Sequence, residues 1–289
     1  MKNSFISTFC ITAGAVMWGF IGLFLKALDG FSSAQLLAVR SFVTAVLLFA
    51  FLAVRDRKKL YIKIRDIPYF IGTGIISFAS YNFAYFAAIR LTSMSVAAVL
   101  LYTSPIFVTI MSAIFFKEKL TPKKCVAVLC AFAGCMLITG IGTDTMLSTK
   151  GLTAGLISGF CYALYSIFGK FALERYSTIT VTAYTFLFAS LAAIPLADVG
   201  STIQLITSDN ALLLLVFGLF SGLIPYLLYT YGLSKTQAGK AAVIACIEPV
   251  TAAVAGVTLL NEELLLRTFI GIVFVIGAVI LLQYNKSEK

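Results

Sequence analysis

The sequence predicts an all-α integral membrane protein: ten transmembrane helices arranged as two inverted five-helix repeats. Three observations predict it. The 289 residues are 60% hydrophobic and only 12% charged, with a mean hydropathy of +1.00; soluble chains carry about 25% charged residues. Apolar runs recur near 5–26, 34–54, 68–88, 94–116, 124–142, 151–171, 178–197, 211–231, 238–260 and 267–284. Each is close to the roughly 20 residues that cross a hydrocarbon core of about 30 Å. Finally, the chain registers on itself at an offset of 144: Lys26 falls on Lys170, Ala97-Ala98-Val99 on Ala241-Ala242-Val243, Pro105 on Pro249, Glu118 on Glu262 and Leu120 on Leu264. A common offset for charged and proline positions spread this widely points to two units, residues 1–143 and 150–289.

The first run, with Lys2 ahead of it, has the look of a signal peptide. Its apolar stretch is longer than such a segment needs and it has a partner in the second unit, so it reads as a retained helix. Gly14, Gly19 and Gly22 there, like Gly155, Gly159 and Gly169 in the sixth run, permit close helix approach. The second run carries Arg40, about 10 Å deep. Two readings stand for it: an anchor that reaches the interface or pairs with Asp29, and a substrate contact. The third run places Ser77, Tyr81 and Tyr85 on one helical face with Asn82 beside them. The fourth holds Tyr102 ahead of Pro105. In the fifth, Cys125, Cys130 and Cys135 are spaced so that they point apart, and they read as small buried hydrophobes rather than ligands. The sixth carries Ser158, Tyr162, Tyr165 and Ser166, with Tyr162 the repeat partner of Trp18. The eighth offers Pro225, Tyr226, Tyr229 and Thr230. Each of these stripes reads as helix packing through satisfied hydroxyls, as an interfacial aromatic belt, or as a cavity lining.

The ninth run is the most unusual. Across residues 238–260, Glu248 is the only charge after Lys240, and it lies near mid-membrane. A carboxylate there is protonated, paired, or facing water inside the protein. Pro249 follows it and leaves the carbonyl of Ala245 without its helical partner. Backbone freed at this depth is tolerated where protein or a cavity receives it.

Loop charge sets the expected orientation. With the N-terminus in the cytoplasm, 17 of the 22 Lys and Arg fall on inside loops and ends, Lys2, Lys286 and Lys289 among them. Lys26, Arg90, Lys150 and Arg267 fall outside. Both termini are therefore expected in the cytoplasm of a multi-pass plasma membrane protein. Five helices per unit is an odd number, so the second unit enters from the opposite face. Loop 55–66 accordingly has six basic residues and its counterpart 199–210 has none. The net charge of +10 is this topology signal, not a nucleic-acid patch.

At several of these residues the chain resembles the drug/metabolite transporter superfamily, in particular its ten-helix EamA-type exporters and permeases. The resemblance rests on Gly14, Trp18, Gly19 and Gly22; on Tyr102-Thr103-Ser104-Pro105 with Lys117-Glu118-Lys119-Leu120; and on Cys246-Ile247-Glu248-Pro249 with Asn261-Glu262-Glu263-Leu264. It covers nearly the whole chain. Where the family usually has Gly ahead of the loop Glu, Lys117 and Asn261 stand here. The resemblance implies helices 3, 4, 8 and 9 around a cavity with helices 1 and 6 beside it, and amino acids or similar amphipathic metabolites as cargo.

The functional expectation is a secondary transporter, an exporter of small organic metabolites working by alternating access. Trp18, Tyr81, Asn82, Tyr102, Tyr162, Tyr226 and Glu248 are the expected substrate-binding residues. The tyrosines fit an apolar or aromatic portion, and Glu248 fits an amine or proton coupling. No cofactor or metal is expected, and the partners are the lipid bilayer and a small molecule. No G-x-x-x-x-G-K-[ST] loop is present, so a gradient would supply any energy. Transport of phosphorylated or nucleotide-linked sugars is an alternative; it needs interior cations, and only Arg40 is a candidate. An intramembrane lipid-modifying enzyme is disfavoured because the chain has no His and no paired intramembrane carboxylates.

Overall fold

The computed structural model describes residues 2–140 and 148–283, and every apolar run is helical. The helices are α1 (Phe5–Ala27), α2 (Ser33–Arg55), α3 (67–91), α4 (Met94–Phe116), α5 (Pro122–Thr139), α6 (Thr149–Leu173), α7 (Thr178–Leu196), α8 (Ser208–Ser234), α9 (Ala238–Leu259) and α10 (Leu266–Gln283). Among the described residues, nine are long and apolar enough on their own to cross a membrane. The exception is α3, whose middle carries Thr73, Ser77, Ser80, Tyr81 and Asn82. The Lys2 side chain, Lys286, Lys289 and the boundary at 143 lie outside the described residues.

Several helices start where the sequence offers a cap. Ser32 and Gln35 form a reciprocal box ahead of α2, with Ser32 N–H donating to Gln35 Oε1 at 2.8 Å. Ser93 accepts from Val96 N–H ahead of α4, Thr121 from Lys124 N–H ahead of α5, and Ser177 from Thr180 N–H ahead of α7. Gln237, ahead of α9, makes no side-chain cap.

The helix pairing shows the relation between the units. Extensive contacts join α1 to α8 and α9, α6 to α3 and α4, α2 to α7, α4 to α9, and α5 to α10. Exchanging the two repeats maps this set onto itself, as a pseudo-two-fold axis requires. Small residues allow the closest of these approaches. A Cβ on Gly134 of α5 would lie 2.7 Å from the Gly271 carbonyl oxygen of α10, and one on Gly271 would lie 2.6 Å from that of Gly134. Without a hydrophobic drive between helices in lipid, such contact supplies the packing attraction.

Both units interrupt their helices at matching places. Helix α4 breaks at Tyr102–Thr103, just ahead of Pro105, and α9 breaks at Cys246, just ahead of Pro249. The freed turns tighten: Thr103 N–H donates to Leu100 O at 3.2 Å, and Cys246 N–H to Val243 O at 3.2 Å. A second matching pair is absent from the sequence expectations. Segments Gly72–Ala79 of α3 and Gly218–Leu223 of α8 are π-helical, and Gly74 is the repeat equivalent of Gly218. Such widened turns occur at functional sites. The far ends of α4 and α9 match as well. Lys117 (φ 53°) and Asn261 (φ 55°) both adopt the left-handed conformation. The next N–H reaches back, Glu118 to Ser112 O at 3.3 Å and Glu262 to Gly256 O at 3.1 Å. The backbone thus keeps a glycine-type helix stop that neither residue favours as glycine does.

Candidate functional site: an aromatic cavity between the repeats

The broken helices α4 and α9 and the π-segmented helices α3 and α8 meet α1 and α6 around one small cavity. Its walls are Trp18, Tyr81, Ser104, Val108, Tyr162, Tyr165, Ser166, Tyr226, Tyr229, Ala242 and Ala245. Its volume is about 20 Å³, room for about one water.

Tyr226 is the hub. Its ring meets Trp18 edge-on at 4.9 Å, Phe186 at 5.0 Å, and Phe78 and Tyr165 at 5.3 Å. Opposite, Tyr81 and Tyr162 meet at 5.0 Å. The polar edges are partly spoken for. Trp18 Nε1–H donates to Ser221 O at 3.3 Å, which ties α1 to the π segment of α8. The Ser166 hydroxyl pairs with Tyr229 at 2.8 Å and Tyr165 pairs with Thr230 at 2.6 Å, joining α6 to α8. Among the described residues the Tyr102 and Tyr162 hydroxyls make no hydrogen bond.

Glu248 lies beside this cavity rather than in its wall. It occupies the first turn of the second half of α9, where unpaired N–H groups favour an anion. Its carboxylate makes no hydrogen bond or ion pair among the described residues. It is within electrostatic reach of Tyr85, Tyr102 and Tyr162 and of Arg40. Helix α1 presses on this point: a Cβ on Gly19 would meet Thr251 Cβ at 2.5 Å and Glu248 O at 2.8 Å. The equivalent of Glu248 in the first unit is Ser104, which does line the cavity.

One end of the bundle is tied by charge. Glu118 follows α4, and its carboxylate accepts from Lys124 Nζ at 2.7 Å and from the Ala238 N–H at 2.8 Å. Lys170 Nζ lies 3.6 Å from it and donates to Thr236 O at 2.6 Å. Burial opposes the charge on Glu118. The Lys124 hydrogen bond, the Ala238 N–H and the charges of Lys124 and Lys170 outweigh that burial, holding the carboxyl below its ordinary range. Beside it opens a recess of about 800 Å³ lined by Lys119, Lys123, Lys124, Lys170, Lys235 and Lys240. At the same end Asp66 accepts from Tyr176 Oη at 2.7 Å and pairs with Arg175. The Tyr176 hydrogen bond leads the Arg175 charge in holding Asp66 below the usual carboxylate range.

Of the residues singled out in the sequence, Trp18, Tyr81, Tyr162 and Tyr226 come together on the cavity. Tyr102 and Glu248 form a layer outside it. Asn82 is buried, with its amide donating to Phe78 O at 2.8 Å inside the widened turns of α3. Ser104, Tyr165, Ser166 and Tyr229 were missing from the expected site. The offset signals Ser104 as the equivalent of Glu248, and Tyr229 as the equivalent of Tyr85. Of the three cysteines expected to be buried, Cys135 is, but Cys130 is partly exposed and Cys125 is exposed. Helix α5 packs chiefly on α10 and turns its other faces outward.

Comparison with known proteins agrees with this architecture. The EamA-like transporter family matches the chain twice, over residues 6–140 and 149–284. An uncharacterized transporter of Archaeoglobus fulgidus is 31% identical over 259 residues, covering 88% of this chain and 90% of its own. The uncharacterized transporter YdfC of Bacillus subtilis is 25% identical over 265 residues, covering 91% and 86%. A protein crystal structure superposes with a TM-score of 0.80 at 18% identity over 96% of each chain, a likeness of fold.

Proposed function

Because this chain belongs to the EamA-like transporter family, we propose that it is a secondary transporter exporting small organic metabolites, such as amino acids, by alternating access. The observation that carries this reading is the small aromatic cavity lying where the broken and π-widened helices of both repeats converge. Discontinuous helices at repeat interfaces are how transporters bring polar backbone and side chains to mid-membrane. A volume of about 20 Å³ holds no metabolite, so the cavity must widen toward one face to load.

In this reading Trp18, Tyr81, Tyr162 and Tyr226 stack on an apolar or aromatic portion of the substrate. Tyr102 and Glu248 supply the polar layer, Glu248 taking an amine or a coupling proton. Asn82 enters through the Phe78 carbonyl it holds. The repeats are residues 1–143 and 150–289, both termini face the cytoplasm, and the Glu118 end is the cytoplasmic one.

Reconstitution tests it. Proteoliposomes loaded in turn with amino acids, nucleosides, vitamins and sugars should release at least one of them chemically unchanged, faster than empty-protein controls. Tyr81→Ala and Tyr226→Ala should weaken that flux while the protein still inserts. If no panel member crosses, or if the substrate emerges chemically altered, the reading fails.

A further inference from the structure

Arg40 is buried, 6% exposed, two turns into α2. Its guanidinium lies over the Phe78 ring at 5.0 Å and the Phe217 ring at 6.0 Å. Its Nε is buried with no acceptor, and among the described residues Arg40 makes no hydrogen bond or ion pair. Asp29, the partner the sequence offered, is exposed beyond α1 and no ion pair joins the two. An arginine carries a fixed charge and five N–H donors in a planar fork. Ring faces attract that charge but accept none of its N–H edges well. A buried cation left in this condition implies an acceptor that arrives from elsewhere.

The surroundings indicate where it arrives. Phe78 belongs to the π segment of α3, and Phe217 immediately precedes that of α8. The Phe78 ring also touches Tyr226 and Tyr81, both in the cavity wall. The Phe78 ring, carried on the π segment of α3, therefore stands between Arg40 and the cavity wall. Glu248, beside the same cavity, likewise makes no hydrogen bond or ion pair among the described residues and is within electrostatic reach of Arg40. Two opposite charges, neither hydrogen-bonded, thus lie close to one aromatic chamber.

We propose that Arg40 is the anion-receiving residue of the transport site. When the Phe78 ring moves aside, the fork takes the carboxylate of the substrate side-on through Nε and a terminal nitrogen. A carboxylate fits better than a phosphate: the fork matches its planar pair of oxygens, and one arginine balances its single charge. This rests on the transporter reading above and deepens it, since the same chamber then selects a carboxylate-bearing substrate.

Three probes of one size separate the charges. Phenylalanine carries an amine and a carboxylate, phenethylamine only the amine, and 3-phenylpropionate only the carboxylate. Binding of each to the purified full chain is measured for the wild type, Arg40→Gln and Arg40→Lys. The expected result is that Arg40→Gln weakens phenylalanine and 3-phenylpropionate by about tenfold or more, with phenethylamine held within about twofold. Arg40→Lys, which keeps charge but loses the fork, falls between. Unchanged phenethylamine binding also certifies that the variant is folded; if Arg40→Gln does not fold, Arg40→Lys alone must show the selective loss. Equal weakening of all three probes, or no change in any, overturns the proposal. A wild type that binds only phenethylamine overturns the role of Arg40 and leaves the transporter reading intact. A wild type that binds none of the probes, and transports no member of the wider panel, overturns both.

Discussion

The two ends of the bundle start from the same backbone plan and finish differently. At one end Lys117 turns left-handed and delivers Glu118; at the other Asn261 does the same and delivers Glu262. Glu118 is buried among Lys124, Lys170 and the start of α9, whereas Glu262 is exposed, as is Lys26, the equivalent of Lys170. The helix starts differ as well. Ser93 caps α4 by accepting Val96 N–H, while the equivalent Gln237 makes no side-chain cap for α9. At the start of α9 the Ala238 N–H donates instead to Glu118 of the other repeat. The repeats are thus latched to each other at the Glu118 end, and among the described residues Glu262 makes no equivalent bond at the other end.

Breaking the latch should give the largest effect. Glu118→Gln leaves the buried Lys124 and the half-buried Lys170 without their counter-charge and should cost about 3 kcal/mol of stability, read as a lowered thermal midpoint in detergent. The same latch sets a pH dependence. The folded carboxyl of Glu118 lies below its ordinary 4.5, so its stabilisation is complete above that pH. It is lost as the pH falls through the folded value. Melting curves of the wild type should drop toward the Glu118→Gln curve only below pH 4.5; convergence near neutral pH would place the dependence on another group.

Next in size is the contact of α1 with α9. Gly19→Ala drives a methyl into Thr251 and the Glu248 carbonyl and should cost roughly 1–3 kcal/mol. Its repeat equivalent is already Ala163, buried at 1%, so Ala163→Gly tests the other unit at the same register. A Gly19→Ala variant as stable as wild type would mean that α1 slides freely on α9.

The helix stops should respond in the opposite direction. Lys117→Gly relieves a left-handed lysine and should add about 1 kcal/mol; Asn261→Gly should add less, because asparagine tolerates that conformation. Equal gains would show that the strain does not differ between ends. Smallest of all, Glu262→Gln should stay within about 0.5 kcal/mol of wild type, and a loss as large as that of Glu118→Gln would erase the distinction between the ends.

How much of this was legible beforehand depends on the kind of signal. Hydropathy located the helices, and the offset that aligned Pro105 with Pro249 located both breaks, because proline acts on its own backbone. Trp18, Tyr81, Tyr162 and Tyr226 were legible as aromatic residues too polar for lipid. The π segments were not, since a widened turn follows from how Gly74 and Gly218 pack against other helices rather than from a local pattern. The Glu118 latch was equally hidden: a loop glutamate shows its meaning only when α9 starts beside it. Arg40 carried two readings, an anchor and a substrate contact, because snorkelling accounts for arginines at that depth; the Phe78 and Phe217 rings packed against it come from helices distant in sequence.

The most direct test of the asymmetry uses Ala245, a cavity-wall residue next to the α9 break. With the six native cysteines replaced, Ala245→Cys is exposed to a membrane-impermeant maleimide from each face of oriented vesicles. Labelling should come chiefly from the Glu262 end, and adding Glu118→Gln should raise the rate from the Glu118 end. Equal labelling from both faces, unchanged by Glu118→Gln, would contradict the asymmetry.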